Sequence, residues 1–215
     1  MDIAFDIETI PNSGMIDRLP PVEVKAGNLK DPAKIAEKEA AAKAEQIDKM
    51  ALSPLYGRVC AWVAVSEKTD VSACITADTD AEETRVIEAA FDAISGGRVV
   101  TYNGSGFDLP FLYRRAVLLG IDPRAWGMPT LAEMASRYCS KHHVDLMQAW
   151  CGFGNFEKLD NLAGAMLGDH KIGIDFRDFP ALIQTIGGRK KLVDYCRQDV
   201  LLTMRIWNRI AGILI

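Results

Sequence analysis

The chain is 215 residues long, 49% hydrophobic and 25% charged, the composition of a globular protein large enough for one domain with its own core. Its formal net charge of −4 excludes the overall basic field of a high-affinity nonspecific nucleic-acid binder, although not an enzyme that holds phosphates through metals and local basic patches. No apolar run approaches the roughly 18 residues of a membrane span, no basic-then-apolar leader opens the chain, and five scattered cysteines point to reduced thiols in a cytoplasmic setting.

Met1 to Ile7 alternates loosely, with Ile3, Phe5 and Ile7 on one side, and predicts a first strand. A loop carrying Pro11-Asn12 and Leu19-Pro20-Pro21 follows. Asp31 as N-cap and Pro32 at the first helical position then open a helix that runs to Met50. It is rich in Ala, Lys and Glu, carries Glu39–Lys43 and Glu45–Lys49 four residues apart, and offers only Ile35, Ile47 and Met50 as an apolar face. It reads as an exposed helical insertion, around residues 31–51, in a single domain.

Val59–Val65 and Val71–Thr76 predict a hairpin. Asp80 is expected to cap a helix over Ala81–Ser95, ended by Gly96-Gly97. Arg98–Tyr102 predicts a fourth strand, followed by the tight turn Asn103-Gly104-Ser105-Gly106. The next helix starts within Phe107–Pro110, with Phe111, Leu112, Val117, Leu118 and Leu119 as its core face, and stops at Gly120. Farther on, Asp145 is expected to cap a helix over Leu146–Cys151, Leu159–Leu167 forms another, residues 168–175 are a loop, and Arg189–Leu214 is a long final helix. Strand–helix alternation predicts an α/β domain with a mixed central sheet and helices on both faces.

Acidic side chains recur at informative places. Asp6 and Glu8, two apart on a strand, leave the same face, and like charges held together need neutralising. A divalent cation does this, and hard carboxylate oxygens suit Mg²⁺ or Mn²⁺. Asp108 sits where the fourth strand gives way to a helix, either a plain N-cap or a group sent to the site edge. On the final helix, Asp199 lies in a largely apolar stripe one turn after Tyr195, so phenol and carboxylate point the same way, as a core hydrogen bond or as a metal ligand with a catalytic phenol. Cys139, His142, His143 and Cys151 fit no closed four-ligand zinc spacing; His143 and Asp145 read as structural or as shaping a site margin. Arg114-Arg115 and Arg189-Lys190-Lys191 are candidate phosphate contacts or solvated helix faces.

Three segments, in order, resemble the motifs of the DEDD 3′→5′ exonucleases, the DnaQ-like proofreading nucleases with an RNase H-like fold: Phe5-Asp6-Ile7-Glu8-Thr9, Asn103-Gly104-Ser105-Gly106-Phe107-Asp108-Leu109-Pro110-Phe111, and Tyr195-Cys196-Arg197-Gln198-Asp199. The last resembles the tyrosine subclass, and the set is most similar to the exonuclease domains of family B DNA polymerases. The resemblance implies two divalent ions, Mg²⁺ or Mn²⁺, held by Asp6, Glu8, Asp108 and Asp199, with Tyr195 orienting the attacking water. It implies that Thr9, Asn103 and Phe107 hold the 3′-terminal nucleotides of single-stranded DNA or RNA, and that Lys171, followed by Ile174, steadies the scissile phosphate. No polymerase segment follows the third motif, so the expected protein works alone or serves a separate polymerase or repair complex. Its oligomeric state is left open.

Overall fold

A computed structural model describes residues 1–23, 31–137 and 141–215. The expected first strand is longer than its apolar alternation suggests: β1 spans Asp2–Pro11 and lies at the centre of a five-stranded sheet. It pairs antiparallel with β2 (Gly57–Val65), which pairs antiparallel with β3 (Asp70–Cys74). On its other side it runs parallel to β4 (Arg98–Thr101), which is parallel to β5 (His143–Asp145). The order is β3-β2-β1-β4-β5.

The period of two sorts β1 between two cores. Ile3, Phe5 and Ile7 pack against Val86, Ile87 and Phe91 of α2 (Asp80–Ile94) and Leu109 and Leu112 of α3 (Asp108–Leu119). On the opposite face Ala4 packs with Val63 and Val65 against Cys196 and Val200 of the long C-terminal helix. Between β1 and β2 lies α1 (Pro32–Met50), capped by Asp31 as expected and burying only Met50. The shorter helices are α4 (Leu131–Met134), α5 (Leu146–Cys151), α6 (Leu159–Leu167) and α7 (Phe179–Leu182), and the chain finishes with α8 (Ile186–Ile210).

Several expectations change. The cap of α2 is Thr79, whose extended backbone lets its hydroxyl accept from Glu82 N–H; Asp80 is the first helical residue and pairs with Arg58 at 2.9 Å. Val117 and Leu118 are 75% and 51% exposed, because the buried face of α3 is Leu109, Leu112, Tyr113 and Ala116 at three- and four-residue steps. They line an apolar groove of about 1050 Å³ with Leu55, Ile121 and Leu131. Helix α8 begins three residues before Arg189, capped by the Thr185 hydroxyl. Strand β5 and helices α4 and α7 are too short to carry a legible period.

Arg115 is a further correction. It is buried rather than available to phosphate, and it grips Glu83 bidentately at 2.8 and 2.6 Å. Glu83, fully buried on α2, also accepts from Arg58 Nη1 and Val59 N–H, both at 2.9 Å. One carboxylate thus joins β2, α2 and α3. Arg189 donates to the Ile183 carbonyl and Lys190 pairs with Asp194, the second of these being an ordinary solvated helix-face contact.

Candidate active site

Backbone irregularity sets the orientation of the first two carboxylates. Along β1 and β2, Glu8 faces Ala61 but Thr9 faces Val59, so Cys60 is an extra residue on β2. Such a bulge breaks the ladder and increases local twist. Asp6 and Glu8 lie on its N-terminal side, and Thr9 turns inward, 7% exposed, to donate its hydroxyl proton to the Ala51 carbonyl at 2.7 Å. Thr9 thereby ties the end of α1 to β1.

Asp108 reaches the same place from the other side of β1. Strand pairing between β1 and β4 stops at Ala4↔Val100. Beyond that point the Ile7 N–H, between Asp6 and Glu8, donates to Asp108 Oδ1 at 3.1 Å. Asp108 is 3% exposed, and it is the first residue of α3 rather than its cap. The turn that delivers it is held by a network. Asn103 adopts a left-handed backbone (φ 67°), which Asn tolerates better than most residues. Asp145 accepts from Asn103 N–H at 2.9 Å, Ser105 N–H at 3.0 Å and, as the cap of α5, Met147 N–H at 3.0 Å. Gly104 N–H donates to Thr101 Oγ1, and a Cβ at Gly104 would come within 2.1 Å of that oxygen. Thr101 Oγ1 lies 2.8 Å from His143 Nε2, while His143 Nδ1 is 2.9 Å from the Met134 carbonyl. A carbonyl only accepts, so Nδ1 carries the proton and Thr101 donates to Nε2. Both ring nitrogens are occupied, which removes His143 from any zinc set; Cys139 lies outside the described residues.

Helix α8 supplies the remaining groups. Cys196, fully buried, sets its Sγ 3.6 Å from the Asp6 carbonyl and 3.7 Å from Asp6 Oδ2. Asp199, 6% exposed, pairs through Oδ2 with Lys171 Nζ at 2.5 Å, while its buried Oδ1 has no hydrogen-bond partner among the described residues. The Lys171 ammonium also lies 5.5 Å from the centre of the Tyr195 ring. The loop carrying it is clamped: Asp160 accepts from Lys171 N–H at 2.8 Å, and Gln198 accepts from Ile172 N–H at 2.6 Å while donating to the His170 carbonyl at 2.8 Å. Gln198 belongs to the same segment as Tyr195 and Asp199, so one helix turn carries both the acid and the clamp.

The electrostatics are those of crowded acids. Burial raises Asp6 well above the carboxylate range, and the Asp108, Glu8 and Asp199 carboxylates raise it further. Burial likewise raises Glu8, with Asp199 adding to it and Lys171 opposing. Asp108 is pushed up to about 6 by burial, against the Ile7 N–H that favours its charged form. Asp199 is raised by burial and pulled back by Lys171. Burial pushes Tyr195 up to about 12, so its phenol stays protonated at neutral pH. Four acids repelling one another and one buried oxygen lacking a donor form a donor set that hard divalent cations fit.

Asp6, Asp199, Lys171 and Asn103 line one groove of about 310 Å³. Phe107 instead packs half-buried on the core, its ring 5.5 Å from that of Phe111. Sequence reasoning missed the groove's Phe156, which is 69% exposed and outside any periodic element. It also left Asp145 at the margin, where its spacing from Leu146 reveals the α5 cap but not its hold on the Asn103–Gly106 turn.

A mixed sheet with helices on both faces and acids gathered from its central strand and two flanking helices defines an RNase H-like α/β fold. The fold matches the structure of the family B DNA polymerase from the hyperthermophilic archaeon Pyrobaculum calidifontis, with a TM-score of 0.66 at 19% identity over 97% of this chain and 24% of that one. Residues 52–213 match the family described as predicted 3′-5′ exonuclease related to the exonuclease domain of PolB, and the chain belongs to that family. It is 30% identical to DNA polymerase 1 of Saccharolobus solfataricus over 118 residues, half of this chain and 13% of the relative. It is 28% identical to DNA polymerase 1 of Sulfurisphaera ohwakuensis over 160 residues, 67% of this chain and 18% of the relative. The chain therefore spans less than a fifth of these relatives.

Proposed function

We propose that the protein is a metal-dependent 3′→5′ exonuclease that releases nucleoside 5′-monophosphates from single-stranded DNA. The observation that carries this reading is the meeting of Asp6, Glu8, Asp108 and Asp199 around β1, with Asp199 Oδ1 buried and unpaired among the described residues. Bound there, two divalent ions of the Mg²⁺ or Mn²⁺ type would stabilise the attacking and leaving oxygens of an in-line displacement. Asp6, which feels the other three carboxylates, would hold these ions together with Glu8, Asp108 and Asp199. Tyr195 keeps its proton and orients the attacking water rather than removing a proton from it. Lys171, whose ammonium rests on Asp199, would steady the scissile phosphate.

Asn103 and the exposed Phe156 line the groove beside these acids, where a terminal nucleotide can be held and a base stacked without regard to sequence. Phe107 packs against the core beside Phe111. DNA is favoured as substrate because the matched relatives are DNA polymerases; the natural setting is service to a separate polymerase or repair complex.

The test is time-resolved product sizing on matched 3′- and 5′-labelled DNA and RNA oligonucleotides, with chelator and with Mg²⁺ or Mn²⁺ restored. The expected result is stepwise loss of mononucleotides from the 3′ end of DNA, abolished by chelator. Cleavage persisting in chelator, or confined to RNA, would refute this reading.

A further inference from the structure

We infer that the loop between α5 and α6, residues 152–158, is a two-ring platform for single-stranded polynucleotide: Phe156 takes a base in the acid groove, and Phe153 takes a second base, farther upstream, in a separate cavity. That cavity has a volume of about 350 Å³ and is lined by Ser105, Arg137, Gln148 and Phe153. Phe153 is 56% exposed. One exposed ring is ordinary. Here two stand on one short loop, and each lines a cavity beside the same turn. Asn103 of that turn lines the acid groove, and Ser105 lines the second cavity. Asp145 holds both residues by their N–H groups, so the ridge between the cavities is fixed.

The loop presents its rings rather than burying them. Gly152 and Gly154 take φ of 78° and 82°, a backbone that suits glycine. Asn155 Nδ2 donates to the Cys151 carbonyl at 2.9 Å, and the Tyr102 hydroxyl donates to the Glu157 carbonyl at 2.8 Å. Tyr102 directly precedes Asn103, so the loop is tied to the turn it flanks. Each ring has a cation at hand. The Arg137 guanidinium lies 4.2 Å from the centre of the Phe153 ring, and Lys158 lines the groove with Phe156. Aromatic faces that take bases, beside basic side chains that take phosphates, are the two parts of sequence-tolerant single-strand binding. Asp145, the acid lining the second cavity, accepts from the Asn103, Ser105 and Met147 N–H groups, which offset its charge toward a phosphate. Phe153 and Phe156 are three positions apart, at most about 11 Å between Cα atoms. That is about three steps of a stacked strand at about 3.4 Å each. The second base therefore belongs to the second, third or fourth nucleotide from the 3′ end. This polarity rests on the exonuclease reading; the binding of a single strand does not.

The experiment follows the fluorescence anisotropy of a 5′-labelled octathymidylate with the full chain in chelator, where the proposed cleavage is silent. It compares the intact strand with strands carrying one abasic nucleotide at the second, third or fourth place from the 3′ end. In the wild type, one of these abasic strands is expected to bind at least fivefold more weakly than the intact strand. Phe153→Ala is expected to bind the intact strand at least fivefold more weakly and to lose that abasic penalty, whereas Phe153→Trp keeps both affinity and penalty. A merely structural role for Phe153 would weaken every strand alike and leave the penalty in place. No binding or no position-specific penalty in the wild type, or a penalty that survives Phe153→Ala, overturns the inference. Stepwise 3′ cleavage in Mg²⁺ without this pattern would leave the function proposed above standing and remove the platform. The pattern without any cleavage would overturn that function and leave the platform.

Discussion

Asp199 divides its two oxygens between different tasks: Oδ2 meets the Lys171 ammonium, and the buried Oδ1 has no donor among the described residues. An acid so placed contributes charge that a phenol one turn earlier does not. Asp199→Ala is therefore expected to lower kcat/KM by about 10³-fold or more, roughly 4 kcal/mol of transition-state stabilisation, whereas Tyr195→Phe loses about tenfold. Single-turnover rates on a labelled oligonucleotide measure both, and equal losses would give the phenol a larger chemical part. At this scale the sequence is informative where residues are close neighbours on one element. Asp6 with Glu8, and Tyr195 with Asp199, follow from periods of two and of 3.6. The Lys171 contact does not, because residues 168–175 have no period and are placed by Asp160 and Gln198 from other elements.

The turn between β4 and α3 is the element that most depends on distant support. Asp145 accepts from two of its N–H groups, and a neutral amide in its place offers one acceptor where two oxygens are used. Asp145→Asn is expected to retain the fold, lose about 1–2 kcal/mol in chemical denaturation, and lower kcat by about 10- to 100-fold with KM little changed. An unchanged kcat would show that the turn does not need this anchor.

Beside it, burial depresses the His143 pKa below the usual 6.5, with Asp145 opposing. A depressed histidine is neutral in the native protein while the unfolded chain takes up a proton. Its stability contribution is therefore full above about pH 6.5 and declines as pH falls toward the native value. Urea midpoints from about pH 7.5 down to pH 5 should drop more steeply for the wild type than for His143→Gln. The helix starts show the same contrast between local and remote information. Asp31 and Asp145 are legible as caps because they stand beside their helices, whereas the choice between a cap and a site residue for Asp108 is decided only by the distant Ile7 N–H that its carboxylate accepts from.

For the molecule as a whole, the Glu83 cluster is the internal joint behind the sheet. Removing its charge leaves Arg115 buried without the carboxylate it grips, and Arg58 with only Asp78 and Asp80 as acidic partners. Glu83→Gln is expected to cost about 3–5 kcal/mol. For a chain of this size that lowers Tm by roughly 6–20 °C in calorimetry. A shift of only a degree or two would mean the cluster is dispensable. Glu83 shares a stripe with Ile87, Ala90 and Ile94, a clue to its burial available in the sequence, but its arginine partners come from β2 and α3 and are invisible to local pattern. The mixed sheet and its order of helices are readable from alternation; the pairing of β1 beyond β4, the bulge at Cys60 and the short β5 arise only when strands meet.

Cys196 touches Asp6, 190 positions earlier in the chain, and α8 is what closes that span. The acid cluster is accordingly incomplete until α8 has docked on the sheet, and it is lost whenever this helix lifts away, even with the strands still in register. Any chemistry the cluster performs is in this way conditional on an intact fold, so copies in which α8 has come loose are silent by construction.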